Sequence, residues 1–366
     1  MTLTTAVSGF LLYIKLELKN STRTFIRDNR ESLVLVSTAL AVTFFLVTVG
    51  YRGSELYLGW TFLGIAFGIS KRSIGNKWIF GGLVFLLLSH ALSVPGSIWW
   101  GRGHWEMTLY HTVWITPFIL LYLINTSEKV YLWLIPILVL HSCFIMMEKL
   151  VSNFGVTDSR LGLLDSANPS AALLTIGTVF LLNTKFRWIT PLLVVALFLN
   201  GQRSGLASLA IMIGIIIIVT LVKKQWTVLL SILLVIGVAL GILIGSDYGD
   251  KASIWSGDTL ERGRTDLVGR WEFTDRPSIF PKGLTWSLGL HALVQRIAVE
   301  LGILAAIVWI GVTVYSLLQK PWFNTSWWVL LTIVVLSISE YSVWLGTLAA
   351  IWWLTIGLRI KTENAS

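Results

Sequence analysis

The chain is short of everything from which a water-soluble surface is built. Only 13% of its 366 residues are charged, 55% are apolar, and the mean hydropathy is +0.76. That leaves too little polar area to cover a soluble domain of this length, and so excludes one. Cysteine is nearly missing: Cys143 stands alone in an apolar run, and no intrachain disulfide is possible. The five histidines are dispersed, and no His, Asp or Glu spacing resembles a ligand set, so no metal is expected. Acidic residues number 19 against 28 Lys and Arg, for a net charge of +9. In so apolar a chain this surplus belongs to basic loops at a membrane surface rather than to nucleic-acid binding. There is no internal repeat, low-complexity linker or separate soluble domain.

What is present is a succession of apolar runs of roughly 15 to 22 residues, the length of helices that cross a hydrocarbon core of about 30 Å. The expected fold is all-α: a polytopic integral membrane protein of about twelve transmembrane helices. Candidate spans lie at 32–50, 55–70, 77–94, 108–125, 130–148, 170–183, 188–199, 205–222, 226–245, 291–319, 326–341 and 343–358. The pair at 170–183 and 188–199 is shorter than an ordinary span. Residues 1–31 form a basic N-terminal segment with no small-residue cleavage site, 32–245 carry spans one to nine, 246–290 form one large loop, 291–358 carry spans ten to twelve, and 359–366 form a tail. On this layout sixteen Lys/Arg fall on the side of the termini and eleven on the other, six of the eleven in the long loop. Long loops count little in the positive-inside rule, so both termini are cytoplasmic.

Nineteen tryptophans follow the same geography. Trp78, Trp99, Trp100, Trp188, Trp226, Trp322, Trp327 and Trp328 sit at span edges, where an indole anchors at headgroup level. Trp255, Trp271 and Trp286 lie in the long loop and are candidates for ligand contact.

The layout places Arg160, Arg203, Arg262, Arg264, Arg270 and His291 together on the outer face, near span ends. Arg203 stands in the tight polar break Asn200-Gly201-Gln202-Arg203-Ser204-Gly205. Arg160 precedes Asn168-Pro169, which opens the next helix. Guanidinium groups and helix N-termini together suit a phosphate or diphosphate; the alternative is arginines that snorkel to headgroups. His291 begins an apolar run after Pro281, Gly283 and Gly289 and is suited to accept a proton near neutral pH; the alternative is a helix-start residue, with Glu272 and Asp165 as rival bases. Arg296 and Glu300, four apart, share one helix face and are expected to form a neutralised, buried structural pair; the alternative is a proton relay.

Four stretches resemble the O-antigen ligase and polymerase superfamily of bacterial envelope glycosyltransferases. Ser159-Arg160-Leu161-Gly162 leading to Asn168-Pro169 is similar to its Arg-Leu-x-Gly…Asn-Pro segment, and Gln202-Arg203-Ser204-Gly205 to its Ser-Arg-small break. Gly269-Arg270-Trp271-Glu272 resembles its periplasmic-loop arginine stretch. Pro281 to His291 and on to Val299-Glu300-Leu301-Gly302 resembles its Pro…Gly…His…Glu-Leu-Gly signature. The chain departs from the pattern at Ala292, at Gly283-Leu284-Thr285 and at Ser170. The resemblance covers about 150 to 310 and implies a metal-independent transferase without cofactor in the bacterial inner membrane, its active site facing the periplasm. It would move a glycan from undecaprenyl diphosphate to an acceptor hydroxyl, the lipid A core for a ligase. His291 would be the base; Arg160, Arg203 and Arg270 would hold the diphosphate; Arg262, Arg264, Trp271 and Asn168 would add contacts. A polymerase or a protein O-oligosaccharyltransferase of the same superfamily, and a lipid-linked glycan flippase, are the alternatives.

Overall fold

The computed structural model describes residues 26–47, 54–100, 105–151, 167–245, 278–283, 293–338 and 348–362. These are helical almost throughout, with fourteen α-helices and three short 3-10 helices among the described residues. The first half holds α1 (Arg30–Val47), α2 (Ser54–Ile69), α3 (Lys77–Trp99), α4 (Trp105–Ile115), α5 (Ile119–Leu123), α6 (Ile135–Val151) and α7 (Ala167–Leu182). The second half holds α8 (Thr190–Asn200), α9 (Arg203–Val222), α10 (Trp226–Gly245), α11 (Leu293–Glu300), α12 (Ile303–Leu318), α13 (Thr325–Leu336) and α14 (Ala349–Thr362). Among the described residues three helical stretches are long and apolar enough to cross a membrane: Lys77–Trp99, Glu128–Glu148 and Ser204–Val222.

Two short helices occupy the centre. Every described side chain from Ser170 to Leu182 in α7, and from Leu348 to Ile360 at α14, is buried. A helix apolar on all sides has its stable place among other helices. α7 packs against α6, α8, α9 and α13, and α14 against α1, α5, α12 and α13, so α13 joins the two. The helices around them turn large apolar side chains outward, among them Phe85, Leu88 and Leu92 on α3 and Leu304, Ile307 and Ile310 on α12. An apolar mantle of that extent suits a hydrocarbon environment and not water.

Several expected spans take a different course. The run 291–319 is broken in two, because Gly302 adopts φ 96 and its α-carbon lies against the backbone of Ile279, where a Cβ would stand 2.5 Å from the carbonyl oxygen. Only glycine accepts both conditions. The run 108–125 is likewise divided, by a 3-10 turn at Thr116–Phe118 that contains Pro117. Helix α3 instead runs on through Pro95 to Trp99, and α14 continues past 358 to Thr362. Trp328, expected at the headgroups, is 2% exposed and belongs to the core, whereas Trp78, Trp188 and Trp226 are exposed as a belt requires.

One end of the bundle is held by polar contacts between turns that are distant in sequence. Arg359, fully buried, donates from Nε to Ser316 O at 3.1 Å, from Nη1 to Pro321 O at 2.6 Å and Asn324 Oδ1 at 3.0 Å, and from Nη2 to Gln319 O. Asn324 in turn caps α13 by accepting from Trp327 N, and its amide donates to Glu128 Oε1. Ser326 Oγ donates to the same carboxylate at 2.6 Å. Lys361 Nζ donates to Tyr122 O and Ile124 O, and Tyr122 Oη to Ile74 O. Arg187 Nη1 reaches Thr227 Oγ1, and Lys223 Nζ lies over the Phe323 ring. The turns near 72, 124, 187, 223, 320 and 360 therefore share one end, as charge counting along the sequence assigns them.

Arg359→Met leaves several buried acceptors without a donor and is expected to cost about 3–5 kcal/mol. The exposed Lys71→Ala is expected to stay within about 0.5 kcal/mol. Thermal unfolding of the purified protein in detergent checks both.

Candidate functional site

The opposite end collects the flanks of the motifs that carry the family resemblance. His291, Arg160, Arg262, Arg264, Arg270 and Trp271, together with the rival bases Glu272 and Asp165, lie outside the described residues. Asn168 and Arg203 are described by their backbone: Asn168 is in the first turn of α7, and Arg203 is the first residue of α9.

The structure brings those two helix starts together. Gly201 ends α8 in the left-handed region at φ 75, Gln202 is extended, and α9 begins at once. A Cβ on Gly205 would stand 2.8 Å from Ala171 Cβ and 3.1 Å from Leu197 Cδ1, so the first turns of α7 and α9 touch with no side chain between them. Thr175 Oγ1 closes the contact by donating to Gly205 O at 3.2 Å. Gln202 makes no side-chain cap on α9. Two helix N-termini side by side present their positive dipole ends to one place.

Next to this contact lie two buried polar oxygens without a hydrogen-bond partner among the described residues, Ser170 Oγ and Asn200 Oδ1. Ser170 precedes Ala171, and Asn200 lies one turn beyond Leu197, so both belong to the same neighbourhood. Such groups are rare in folded proteins and call for a partner. The sequence shows both residues in their motifs; only the packing shows that their oxygens are enclosed.

The segment 278–283 seals the same end. Lys282 N and Gly283 N both donate to Glu300 O, at 3.0 and 3.1 Å, and Ile303 N donates to Ser278 O at 2.8 Å. Gly283, at φ 92, packs on Ser97, where a Cβ would meet the Ser97 Cβ at 2.5 Å. Lys282 is 5% exposed, with its Nζ 4.8 Å from the Trp100 ring centroid. The Pro…Gly and Glu-Leu-Gly pieces thus form one joint, extended backbone hydrogen-bonded to a broken helix. The expected pair is present: Arg296 Nε donates to Glu300 Oε1 at 2.9 Å, with side-chain exposures of 12% and 1%.

Helix α11 begins at Leu293, two residues after His291, and Leu293 N donates to Ser337 O at the end of α13. α13 starts beside the end of α7, since Trp328 and Leu182 line one cleft, so its far end lies toward the start of α7. The chain leaving His291 therefore enters the bundle at the end where α7 and α9 begin.

One grouping was hidden by sequence spacing. His90 of α3 and His111 of α4, both buried, have ring centroids 5.3 Å apart, and the Trp114 ring lies 6.0 Å from that of His111. The histidines are thus not all dispersed. Among the described residues no cluster of three His, Cys, Asp or Glu is placed to hold a metal ion. No family model, curated protein or solved structure matches the chain.

Gly205→Ala forces the α7–α9 contact open and is expected to cost about 1–3 kcal/mol. Adding Ala171→Gly makes room for the new methyl group and should restore part of the loss. Thermal unfolding of the single and double variants measures this, and an undisturbed single variant would contradict the contact.

Proposed function

We propose that this protein is a multi-pass membrane glycosyltransferase of the O-antigen ligase type. In this reading it has about twelve spans, with both termini in the cytoplasm and the site at the periplasmic face of the bacterial inner membrane. It moves a glycan from undecaprenyl diphosphate to an acceptor hydroxyl, the lipid A core. The observation that carries the reading is the touching pair of helix starts at Ala171 and Gly205. It supports an anion site at the residues where the family motifs fall, because helix N-termini favour a diphosphate and the motif arginines are of the type that holds one.

The acceptor oxygen attacks the anomeric carbon as the bond from that carbon to the diphosphate oxygen breaks. The electron pair leaves on undecaprenyl diphosphate, and the acceptor proton passes to His291. Arg160, Arg203 and Arg270 offset the charge that grows on the leaving oxygen. Direct displacement inverts the sugar carbon.

A second reading, a lipid-linked glycan flippase, draws on the buried His90–His111 pair, since ionisable groups within spanning helices mark paths in transporters. A flippase moves labelled lipid-linked glycan across vesicles without making a glycosidic bond, and a transferase does the reverse.

His291→Ala is expected to lower transfer about 10²–10⁴-fold while leaving insertion intact. Near-normal transfer by that variant in membranes supplied with donor would overturn the base assignment. Arg203→Lys should weaken donor binding strongly, because an ammonium does not reproduce a bidentate fork. In a deletion strain, full-length glycan retained on the lipid carrier identifies a ligase, and single repeat units on the final acceptor a polymerase.

A further inference from the structure

The transfer reading leaves unused a cleft at the basic end, between the turn joining α7 to α8 and the turn joining α9 to α10. Its volume is about 490 Å³. Among the described residues Arg187, Lys223 and Lys224 line it and no carboxylate does. Two of the cations are steadied by neutral groups: Arg187 Nη1 donates to Thr227 Oγ1 at 3.1 Å, and Lys223 Nζ lies 3.9 Å from the Phe323 ring centroid. Lys224 adopts φ 55, a conformation that costs a lysine energy and that brings the chain round sharply into α10.

The surroundings of the cleft indicate what kind of anion it suits. Trp226, which starts α10, lines the cleft and is 66% exposed, and Val222 at the end of α9 is 78% exposed. From there Leu230, Leu233 and Leu234 continue an exposed apolar face along α10. A soluble anion is matched by the cations alone. A phosphate that carries acyl chains is matched by the cations and by the apolar face that leads away from them.

We propose that this cleft binds the phosphate of an anionic phospholipid from the leaflet at the basic end, with the acyl chains lying along α10. The proposal rests on the membrane reading and not on the transfer chemistry.

The full chain, purified in detergent, is titrated with phosphatidylglycerol and with phosphatidylcholine, and retained lipid is counted by native mass spectrometry. A separate arm adds inorganic phosphate to the phosphatidylglycerol complex. Phosphatidylglycerol is expected to be retained in preference to phosphatidylcholine, and its affinity to fall at least about tenfold in Arg187→Gln/Lys223→Gln/Lys224→Gln. Lys71→Gln/Arg72→Gln/Lys77→Gln removes equal charge from the same end and should keep wild-type affinity. The single change Lys224→Gln, at an exposed position where folding is not at stake, should give a smaller loss in the same direction. An equal loss in the two triple variants, no preference between the lipids, or displacement of phosphatidylglycerol by an equal concentration of inorganic phosphate would each overturn the proposal.

Discussion

The arrangement depends on a buried guanidinium that finishes other elements' hydrogen bonding. α12 ends in carbonyls with no helical partners, and the chain must turn back at once into α13. Arg359, carried on α14, donates to Ser316 O, Gln319 O and Pro321 O, and reaches Asn324, the cap of α13. One side chain thereby satisfies a helix end and a turn and ties in a helix start, and anchors α14 in the middle of the elements it serves. Glu128 meets the same turn from the other side through Asn324 and Ser326. Within a hydrocarbon setting such groups have no water to fall back on, so the turn and α14 stand or fall together.

The two ends of the bundle are chemically unlike. At one, cations meet carbonyls, hydroxyls and aromatic rings across turns that the sequence separates widely. At the other, α7 and α9 start side by side, α11 enters after His291, and the segment 278–283 is hydrogen-bonded to the α11–α12 break. The two ends therefore differ in kind: a cation-bordered cleft at the first, and helix N-termini beside enclosed oxygens at the second.

Much of this was legible in the sequence because it is periodic or local. Apolar runs announce helices, the charge bias sorts the turns to one end, and the four-residue spacing of Arg296 and Glu300 predicts their pair. What escaped depends on tertiary contact. Nothing in the run 291–319 distinguishes Gly302 from a tolerated helical glycine until Ile279 is seen against it. Arg359 looks like a tail residue because its acceptors lie in another loop. His90 and His111 meet only because α3 and α4 pack, and Trp328 reads as a belt residue until α7 is placed over it. Of the candidate site, the helix starts at Asn168 and Arg203 were readable from Asn-Pro and from the Gly-containing break; the enclosure of Ser170 and Asn200 was not.

The burial of α7 on every side also bears on its length. A helix that never meets lipid has no need to match the bilayer. Sixteen residues make α7 about 24 Å long, against hydrocarbon of about 30 Å. α7 is thus shorter than that thickness by roughly one helical turn, and its burial among other helices frees it from matching the bilayer.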